Sequence, residues 1–300
     1  MVNILKFAAI DIGSNAVRLL LANVVEDGSN TIFRKSSLIR IPLRLGEDAF
    51  STGTLSEQRV EKLVKTMAAY RNLMEVEDVL AFKACATSAM REAKNSKEVV
   101  DHVFEQTGIS IEIIDGKREA EIIYSNEIVE KINDSGLYLY VDVGGGSTEI
   151  TLFENSLNVS SRSFDIGTLR MLNGKVSKES FDDMKNWLKG LNVKKRDPKI
   201  IGSGGNINKI YKLSGKTENS PLLYGEFKEL YKFLEYYTLD ERIKILGMNP
   251  DRADVIIPAS KLYLKVMKWA GVKQVIVPTI GVSDGIIHML YREYRAKVQP

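Results

Sequence analysis

The chain contains few of the residues on which several kinds of catalytic and metal centre depend. Its 300 residues include one cysteine, Cys85, and two histidines, His102 and His288. A single cysteine cannot form an internal disulfide, so the composition suits a reducing cytosol. Two imidazoles argue against a histidine-rich metal site and against a Ser-His-Asp triad. Any chemistry is therefore expected to depend on carboxylates, arginines and backbone amides.

Long apolar runs are also missing. No segment approaches the roughly 20 apolar residues that a membrane-spanning helix needs. The N-terminal "MVNILKFAAIDIG" reaches Lys6 and Asp11 before the apolar core of a signal peptide could form. Cys85 lies in "VLAFKACATSAM", which is typical of a strand, and neither histidine is near it in sequence. We therefore expect a cytoplasmic protein with no membrane partner, in which Cys85 is a buried structural thiol.

Charge is nearly balanced, with 42 Lys and Arg against 39 Asp and Glu and a pI near 8.7. This balance weakly favours anionic ligands and does not indicate a dedicated nucleic-acid binder, so no nucleic-acid partner is expected. Residues 185–216 depart from the average, because they contain nine Lys and Arg and a single acid, Asp197. The stretch fits either a solvated face or a track for a polyanion.

One glycine-containing pattern occurs twice, in "AIDIGSNAVRLLL" and in "YVDVGGGSTEITLF". Aligning the two by their acids puts Asp11 on Asp142 and Gly13 on Gly144. Each copy reads as a strand, an acid, a glycine turn and a returning strand, whereas a Rossmann or Walker loop leads from its glycines into a helix. The offset of 131 residues is about the length of a domain. The sequence therefore predicts two similar lobes, each opening with the same hairpin.

The rest of the chain alternates between strand and helix patterns, which predicts α/β sheets covered by helices. We expect an N-terminal domain over residues 1–128 and a C-terminal domain over residues 129–300, with the final helix packing back on the first domain. Further expected elements are a helix after Ser56, a helix ending at Gly108, a helix in "GKREAEIIYSNEIVEKIN" that crosses into the second lobe, a strand in "NVSSRSFDIG", a helix in "FDDMKNWLKGL", a strand, glycine loop and helix in "PKIIGSGGNINKIYKL", and one helix in "DRADVIIPASKLYLKVMKWAG" that stops at Gly271.

The two hairpins are candidate phosphate loops. Facing each other, they would place backbone amides and the carboxylates of Asp11 and Asp142 around one cleft between the lobes. Amides in such turns bind anions, and an Asp pair can hold Mg²⁺ that neutralises phosphate. Either loop alone could be a plain tight turn, but the repetition favours phosphate binding. A third loop, which contains Gly204, follows a buried strand and offers either another anion contact or a simple strand–helix turn.

Five segments, in this order, resemble the exopolyphosphatase/guanosine pentaphosphate phosphohydrolase family: "AAIDIGSNAVRLLL", "ATSAMREA", "DGKREAEIIY", "VDVGGGSTEI" and "IGSGGNI". The later "NPDRADVIIPA" is also similar to a segment of that family. The resemblance covers nearly the whole chain. It implies two duplicated ribonuclease-H-like domains with an interdomain cleft, as in the actin, Hsp70 and acetate and sugar kinase superfamily.

The resemblance also implies roles for individual residues. Glu119 would be the base that takes a proton from the attacking water, a role for which Glu121 competes. Arg91 would clamp a phosphate oxygen, with help from Arg18. Asp142 and Glu149 would hold Mg²⁺, directly or through water. The phosphates would be bound by residues of the glycine loops, namely Asp11, Gly13, Ser14, Asn15, Gly144, Gly145, Gly146, Ser147, Thr148 and Gly204.

Three departures from the family pattern stand out. Arg118 precedes Glu119 where the family commonly has a second Glu, which changes the charge beside the expected base. Asn206 stands where the family usually has Thr in the third loop. The sequence ends at Pro300, so we expect a short form without the C-terminal helical domains that hold long polymers in long members. Family members often form homodimers, and a homodimer is one expectation here.

The leading hypothesis is a Mg²⁺-dependent hydrolase that releases terminal phosphate from polyphosphate or from guanosine pentaphosphate. One alternative is an ATP-dependent kinase of the same superfamily, against which the Glu119 segment argues. The other is a polyphosphate- or alarmone-binding regulator, which the presence of Glu119, Arg91, Asp142 and Glu149 disfavours. Both proposed substrates present the same terminal phosphoanhydride, so the reacting group does not distinguish them. Only the basic stretch at residues 185–216 favours polyphosphate over guanosine pentaphosphate.

Overall fold

The computed structural model describes residues 2–28, 30–125, 136–155, 157–217, 220–278 and 280–298. The chain divides into two compact units, one formed by residues 1–126 with 281–300 and the other by residues 127–280. The boundary predicted between residues 128 and 129 lies outside the described residues. So does the second half of the predicted crossing helix. The C-terminal helix belongs to the first unit.

The first unit is built on a five-stranded sheet of order β3-β2-β1-β4-β5. The first three strands are antiparallel neighbours, and β4 and β5 run parallel to β1. The strands are β1 (Asn3–Ile12), β2 (Val17–Asp27), β3 (Asn30–Ile41), β4 (Ala81–Ala86) and β5 (Ile111–Ile113). The helices are α1 (Leu45–Ser51), α2 (Glu57–Val76), α3 (Ser88–Glu92), α4 (Ser96–Thr107), α5 (Gly116–Tyr124) and, at the C-terminus, α13 (Val282–Val298).

The second unit contains a six-stranded sheet of order β10-β11-β9-β6-β7-β8. Its strands are β6 (Leu137–Val143), β7 (Thr148–Glu154), β8 (Leu157–Phe164), β9 (Lys199–Ser203), β10 (Leu222–Leu223) and β11 (Gln274–Ile276). Its helices are α6 (Thr168–Leu172), α7 (Lys178–Gly190), α8 (Gly205–Leu213), α9 (Tyr224–Tyr236), α10 (Leu239–Lys244), α11 (Pro250–Ala253) and α12 (Ile256–Ala270), with a 3₁₀ turn at Lys194–Arg196.

The two sheets repeat one topology. The order β8-β7-β6-β9-β11 matches β3-β2-β1-β4-β5, with the same antiparallel and parallel pairings and with β10 added at one edge. The predicted duplication of an α/β, ribonuclease-H-like sheet is therefore confirmed. The central strand β1 is buried from Phe7 to Ile12 without alternation, because it pairs on both edges and is covered on both faces. The edge strand β3 is mostly exposed and is an element that the sequence patterns did not predict.

The helix predicted over "DRADVIIPASKLYLKVMKWAG" is in fact two helices, α11 and α12, separated at Asp254 and Val255. Pro258 explains the break. A proline lacks the amide that a helix interior needs, but it is tolerated in a first turn, and α12 begins at Ile256 so that Pro258 falls there. The predicted end at Gly271 is confirmed, since this residue is left-handed with φ 71°.

Helix α13 packs in the first unit against β1 and α5. The approach to α5 is very close at Gly285, where an added Cβ atom would lie 2.0 Å from the carbonyl oxygen of Ile122. Ser125 Oγ donates to the carbonyls of both Ile122 and Gly285, at 2.6 and 2.9 Å. A glycine at position 285 therefore sets how closely the C-terminal helix supports α5. Across the described segments, no helix has the length and apolar character to cross a membrane.

We predict that Gly285→Ala destabilises the protein by about 1–3 kcal/mol, because the new methyl group must displace the backbone of α5. The free energy of unfolding in urea measures the change. Gly225→Ala is the matched control, since an added Cβ at this helical glycine meets nothing within 4 Å. Equal stability of the two variants would contradict the close approach of α13 to α5.

Candidate functional site

The residues predicted to act in the first unit follow three strands that run in the same direction. β1 leads into the first glycine loop, β4 into Thr87 and α3, and β5 into Asp115 and α5. The carboxyl ends of parallel strands meet at one edge of a sheet, and ligands bind in α/β proteins at that edge. Topology thus collects the first loop, Arg91 of α3 and Glu119 of α5 at one edge.

The first loop, residues 13–16, is closed by a hydrogen bond from the Gly13 amide to the Ala16 carbonyl at 3.1 Å. The carbonyls of Ser14 and Asn15 accept from the amides of Gly46 and Arg44, at 2.8 and 3.0 Å. In a planar trans peptide the N–H points opposite to the C=O of the same unit. The amides of Asn15 and Ala16 therefore point away from the segment that anchors the loop.

Asp11 is buried, and its Oδ2 accepts from Arg18 Nη1 at 2.6 Å. The two residues are direct cross-strand partners in the β1–β2 register. Arg18, which was expected to help bind phosphate, forms an ion pair with the acid of its own hairpin. The Ser14 and Ser88 hydroxyls are 2.9 Å apart, which joins the loop to the start of α3.

Glu119 lies in the first turn of α5 and is buried, with 6% of its surface exposed. Asp115 caps the N-terminus of this helix, and its side chain accepts from the Arg118 amide at 2.7 Å. Arg91 Nη1 donates to the Ile114 carbonyl at 2.8 Å, directly before this cap. Arg91 thus braces the turn that starts the helix of Glu119. A buried carboxylate at a helix N-terminus is stabilised by the dipole of that helix.

The second loop, residues 144–147, has the same closure, from the Gly144 amide to the Ser147 carbonyl at 2.9 Å. Three successive carbonyls of this loop accept hydrogen bonds from α6, two from backbone amides and one from the side chain of Arg170. Gly144 accepts from the Thr168 amide, Gly145 from the Leu169 amide, and Gly146 from Arg170 Nε, at 3.0, 2.8 and 2.6 Å.

By the same peptide geometry, the amides of Gly145, Gly146 and Ser147 point away from α6. Three consecutive amides aimed to one side form an anion-binding nest. This arrangement suits the oxygens of a phosphate group.

Two acids flank this loop as direct cross-strand partners, Asp142 on β6 and Glu149 on β7. Like charges directly opposite each other destabilise a sheet unless neighbouring groups compensate. Glu149 is 4% exposed, and its Oε1 accepts from Ser147 Oγ at 2.6 Å and from Ser163 Oγ at 2.9 Å. Asp142 Oδ2 accepts from Ser203 Oγ at 2.9 Å.

The acid pair provides an oxygen-only donor set beside the amide nest. Within the described ranges there is no cluster of three or more His, Cys, Asp or Glu that could hold a metal. Mg²⁺ commonly uses one or two carboxylates and takes its other ligands from water and substrate phosphates. The pair Asp142 and Glu149 fits that mode of binding.

The third loop lies against one of these acids, Asp142. Gly204 has φ 100°, a backbone conformation that side-chain-bearing residues rarely adopt, and an added Cβ would lie 2.9 Å from Asp142 Oδ1. Both the backbone conformation and the close contact with Asp142 therefore require glycine here. Arg252, from the "PDRAD" segment, lies over the start of α8 and donates from Nη1 to Asn206 Oδ1 at 3.0 Å. A guanidinium beside a helix N-terminus is a second place where an anion can bind.

Sequence reasoning missed the support of the second loop by α6. An added Cβ on Gly167 would lie 2.3 Å from the Gly145 carbonyl oxygen, so only glycine lets α6 approach this closely. The strand expected over residues 158–167 is present but ends at Phe164, so residues 165–167 lead into α6. The usable signal was the second "DIG" tripeptide at Asp165–Gly167, which matches the one at Asp11–Gly13.

Cys85 is buried as expected, and burial raises the pKa of its thiol to about 12. A thiol with so high a pKa is not a nucleophile near neutral pH.

The fold and the loops define a class: a duplicated ribonuclease-H-like α/β protein with a glycine hairpin at the head of each sheet. Residues 24–293 match the model of the Ppx/GppA phosphatase family, and the chain belongs to this family.

The similarity to known proteins extends over most of the chain. A bifunctional 3-dehydroquinate synthase/phosphatase of Fusobacterium nucleatum is 30% identical over 90% of this chain, but the chain spans only 44% of that protein. Exopolyphosphatase 2 of Mycobacterium tuberculosis is 25% identical over 94% of this chain and 97% of its own length. The crystal structure of the Aquifex aeolicus Ppx/GppA family member has a TM-score of 0.77 at 26% identity, covering 97% of this chain and 99% of that one.

We predict that Gly167→Ala weakens phosphate binding and lowers activity by at least about tenfold, since the methyl group must push α6 off the second loop. Isothermal titration with inorganic phosphate and a phosphate-release assay measure the two effects. Gly190→Ala is the control in the same unit, because an added Cβ there meets nothing within 4 Å. Unchanged phosphate binding in Gly167→Ala would refute the role of α6 in supporting the second loop.

Proposed function

We propose that the protein is a phosphoanhydride hydrolase that releases terminal orthophosphate from inorganic polyphosphate. The single observation on which this rests is the row of three amides at Gly145, Gly146 and Ser147 beside the acid pair Asp142 and Glu149. Membership of a phosphatase family and the similarity to an exopolyphosphatase support the choice.

The amides of the second loop bind phosphate oxygens, and those of Asn15 and Ala16 do the same in the first unit. The Ser14 hydroxyl and the third loop at Gly204 complete the proposed phosphate contacts. The Ser147 and Thr148 hydroxyls, which the sequence also placed among these contacts, donate to Glu149 Oε1 and to the Ile166 carbonyl. The Gly13 and Gly144 amides close their own loops. Arg91 positions the turn before α5, and its remaining N–H groups are the proposed clamp on a phosphate oxygen. Asp11 orients Arg18 through their ion pair.

Glu119 is the proposed general base. A base must lie within hydrogen-bond reach of the attacking water and must be held there. The Asp115 cap, the brace from Arg91 and the packing of α13 on α5 all fix the helix turn that contains Glu119.

Asp142 and Glu149 are the proposed ligands of Mg²⁺. When bound, the ion supplies positive charge that neutralises the phosphate oxygens during transfer. The Ser147, Ser163 and Ser203 hydroxyls orient these two carboxylates.

Guanosine pentaphosphate is the second candidate substrate, because it ends in the same phosphoanhydride. A kinase would transfer phosphate from ATP to a sugar or a carboxylic acid, and a regulator would bind without turnover. One assay separates these functions: phosphate release with Mg²⁺ from polyphosphate, guanosine pentaphosphate and ATP. Turnover of ATP alone, stimulated by an acceptor, would replace our proposal with the kinase, and binding without turnover would replace it with the regulator.

We predict that Glu119→Gln lowers kcat by about 10²–10⁴-fold while polyphosphate binding is kept, because the amide cannot accept the proton of water. Glu121→Gln is the matched control, two residues further along the same helix, exposed and paired with Arg118 at 3.2 Å. Full activity of Glu119→Gln, or a loss in Glu121→Gln alone, would refute the assignment.

We predict that Asp142→Asn raises the Mg²⁺ concentration needed for half-maximal activity by about tenfold or more, because a neutral amide is a poor ligand for a hard cation. Without Mg²⁺ the same variant should melt at the same or a higher temperature, since the opposed charges are removed. Calorimetry with and without Mg²⁺ checks this, with the exposed Asp182→Asn as control. Unchanged Mg²⁺ dependence would show that Asp142 is not a ligand.

A further inference from the structure

The basic stretch 185–216 does not form one continuous charged track. Arg196 pairs with Glu154, and Lys216 pairs with Glu226 at 3.0 Å. Lys199 lies over the ring of Tyr138, with 5.6 Å between its Nζ and the ring centroid. Three of the nine charges in this stretch are therefore engaged within the protein.

Lys185 belongs to a different cluster. Its helix α7 packs against α12, which contains Lys261, Lys265 and Lys268. The spacing of these three residues places them on one face of α12, and the opposite face is buried in the core. Lys261 and Lys268 are exposed, and Lys265 is half-buried. We call these four residues the lysine surface.

Lys265 is held at the centre of this surface. Its Nζ lies 5.0 Å from the ring centroid of Phe181 and 5.3 Å from that of Trp269. Burial, and then repulsion from Lys261, Lys268 and Lys185, lower the pKa of its ammonium group. Like charges at this helical spacing cost stability. An anion bound across the surface would remove that cost.

The surface spans several phosphates. Lys261 and Lys268 are about 10 Å apart along the helix axis at 1.5 Å per residue. An orthophosphate ion is shorter than this separation, whereas a linear polyanion can lie along it. The rings of Phe181 and Trp269 pack against each other edge to face and are covered by Lys265. They do not offer the open faces on which nucleic-acid bases stack, which favours a chain of phosphates over single-stranded nucleic acid.

The lysine surface is part of the unit that contains the second phosphate loop. Tyr263, on the buried side of α12, donates from its hydroxyl to the carbonyls of Val141 and Ser203, at 2.8 and 2.7 Å. These carbonyls lie beside Asp142, at the ends of β6 and β9. One helix thus supports the proposed metal site with one face and presents the lysines on the other.

We propose that Lys185, Lys261, Lys265 and Lys268 form an exosite for the distal part of a long polyphosphate chain. The inference rests on the proposed function, because its ligand is the proposed substrate. An exosite of this kind increases affinity for long chains and contributes nothing to short ones.

The test is the double variant Lys261→Gln/Lys268→Gln, which changes two exposed side chains and so preserves the fold. We expect its KM for long-chain polyphosphate to rise by about tenfold, with kcat and the KM for tripolyphosphate unchanged. Lys228→Gln/Lys244→Gln is the charge-matched control, since both lysines are exposed in the same unit. Lys265→Met, which keeps the aliphatic packing, should change KM in the same direction.

A direct binding measurement separates failure of the exosite from failure of the proposed function. Fluorescence anisotropy of labelled long-chain polyphosphate on the Glu119→Gln protein, with and without the double variant, requires no turnover. We expect the double variant to weaken binding. Equal binding, an equal rise in KM for both chain lengths, or competition by DNA as strong as that by polyphosphate would each overturn the exosite. Absence of phosphate release from every polyphosphate by the wild-type protein would overturn the proposed function while leaving this measurement interpretable.

Discussion

Hydrogen bonds from α6 to the second loop are the constraint on which the candidate site depends. A glycine-rich hairpin has many accessible conformations, and only a few of them aim successive amides in one direction. Holding the carbonyls of residues 144–146 from one side fixes the three peptide planes, so that their amides face the other side. This support requires close contact between backbones. Gly167 permits that contact because it has no side chain.

The two hairpins have the same fold but different electrostatics. In the second hairpin, Asp142 lies directly across from Glu149. At the equivalent position of the first hairpin, Asp11 lies directly across from Arg18. One copy therefore contains an internal ion pair, and the other contains two opposed acids. An ion pair satisfies its own charges, whereas two acids are stabilised by an added cation. The two loops are similar, and one residue on the second strand, Arg18 or Glu149, distinguishes the hairpin proposed to bind phosphate alone from the one proposed to bind phosphate with metal.

Buried hydroxyls fix elements that contain the proposed site. Tyr263 joins the ends of β6 and β9 through two carbonyls, and Ser125 joins α5 to α13 in the same way. A buried hydroxyl that donates to a backbone carbonyl satisfies both groups and fixes the distance between two elements. The proposed phosphate loops and the helix of the proposed base are thus set on rigid elements, as reactions that depend on positioning require.

Local patterns in the sequence were enough to predict many secondary-structure elements and candidate site residues of this protein. The repeated acid–glycine pattern predicted the duplicated hairpins, periodicity predicted most helices, and the motifs selected Glu119, Asp142 and Glu149 as candidates. These features are readable because hairpin turns and helix faces depend on neighbours within a few residues. The break between α11 and α12 was also readable in principle, since it follows from the position of Pro258.

Only the tertiary structure decided which distant residues meet. The ion pair of Asp11 with Arg18 depends on strand register, and the contact of α6 with the second loop depends on how a chain segment returns after β8. The lysine surface joins Lys185 to lysines far along the chain, whereas the basic stretch in the sequence turned out to be partly engaged in pairs. Such contacts follow from the packing of whole elements, and no local pattern of residues encodes them.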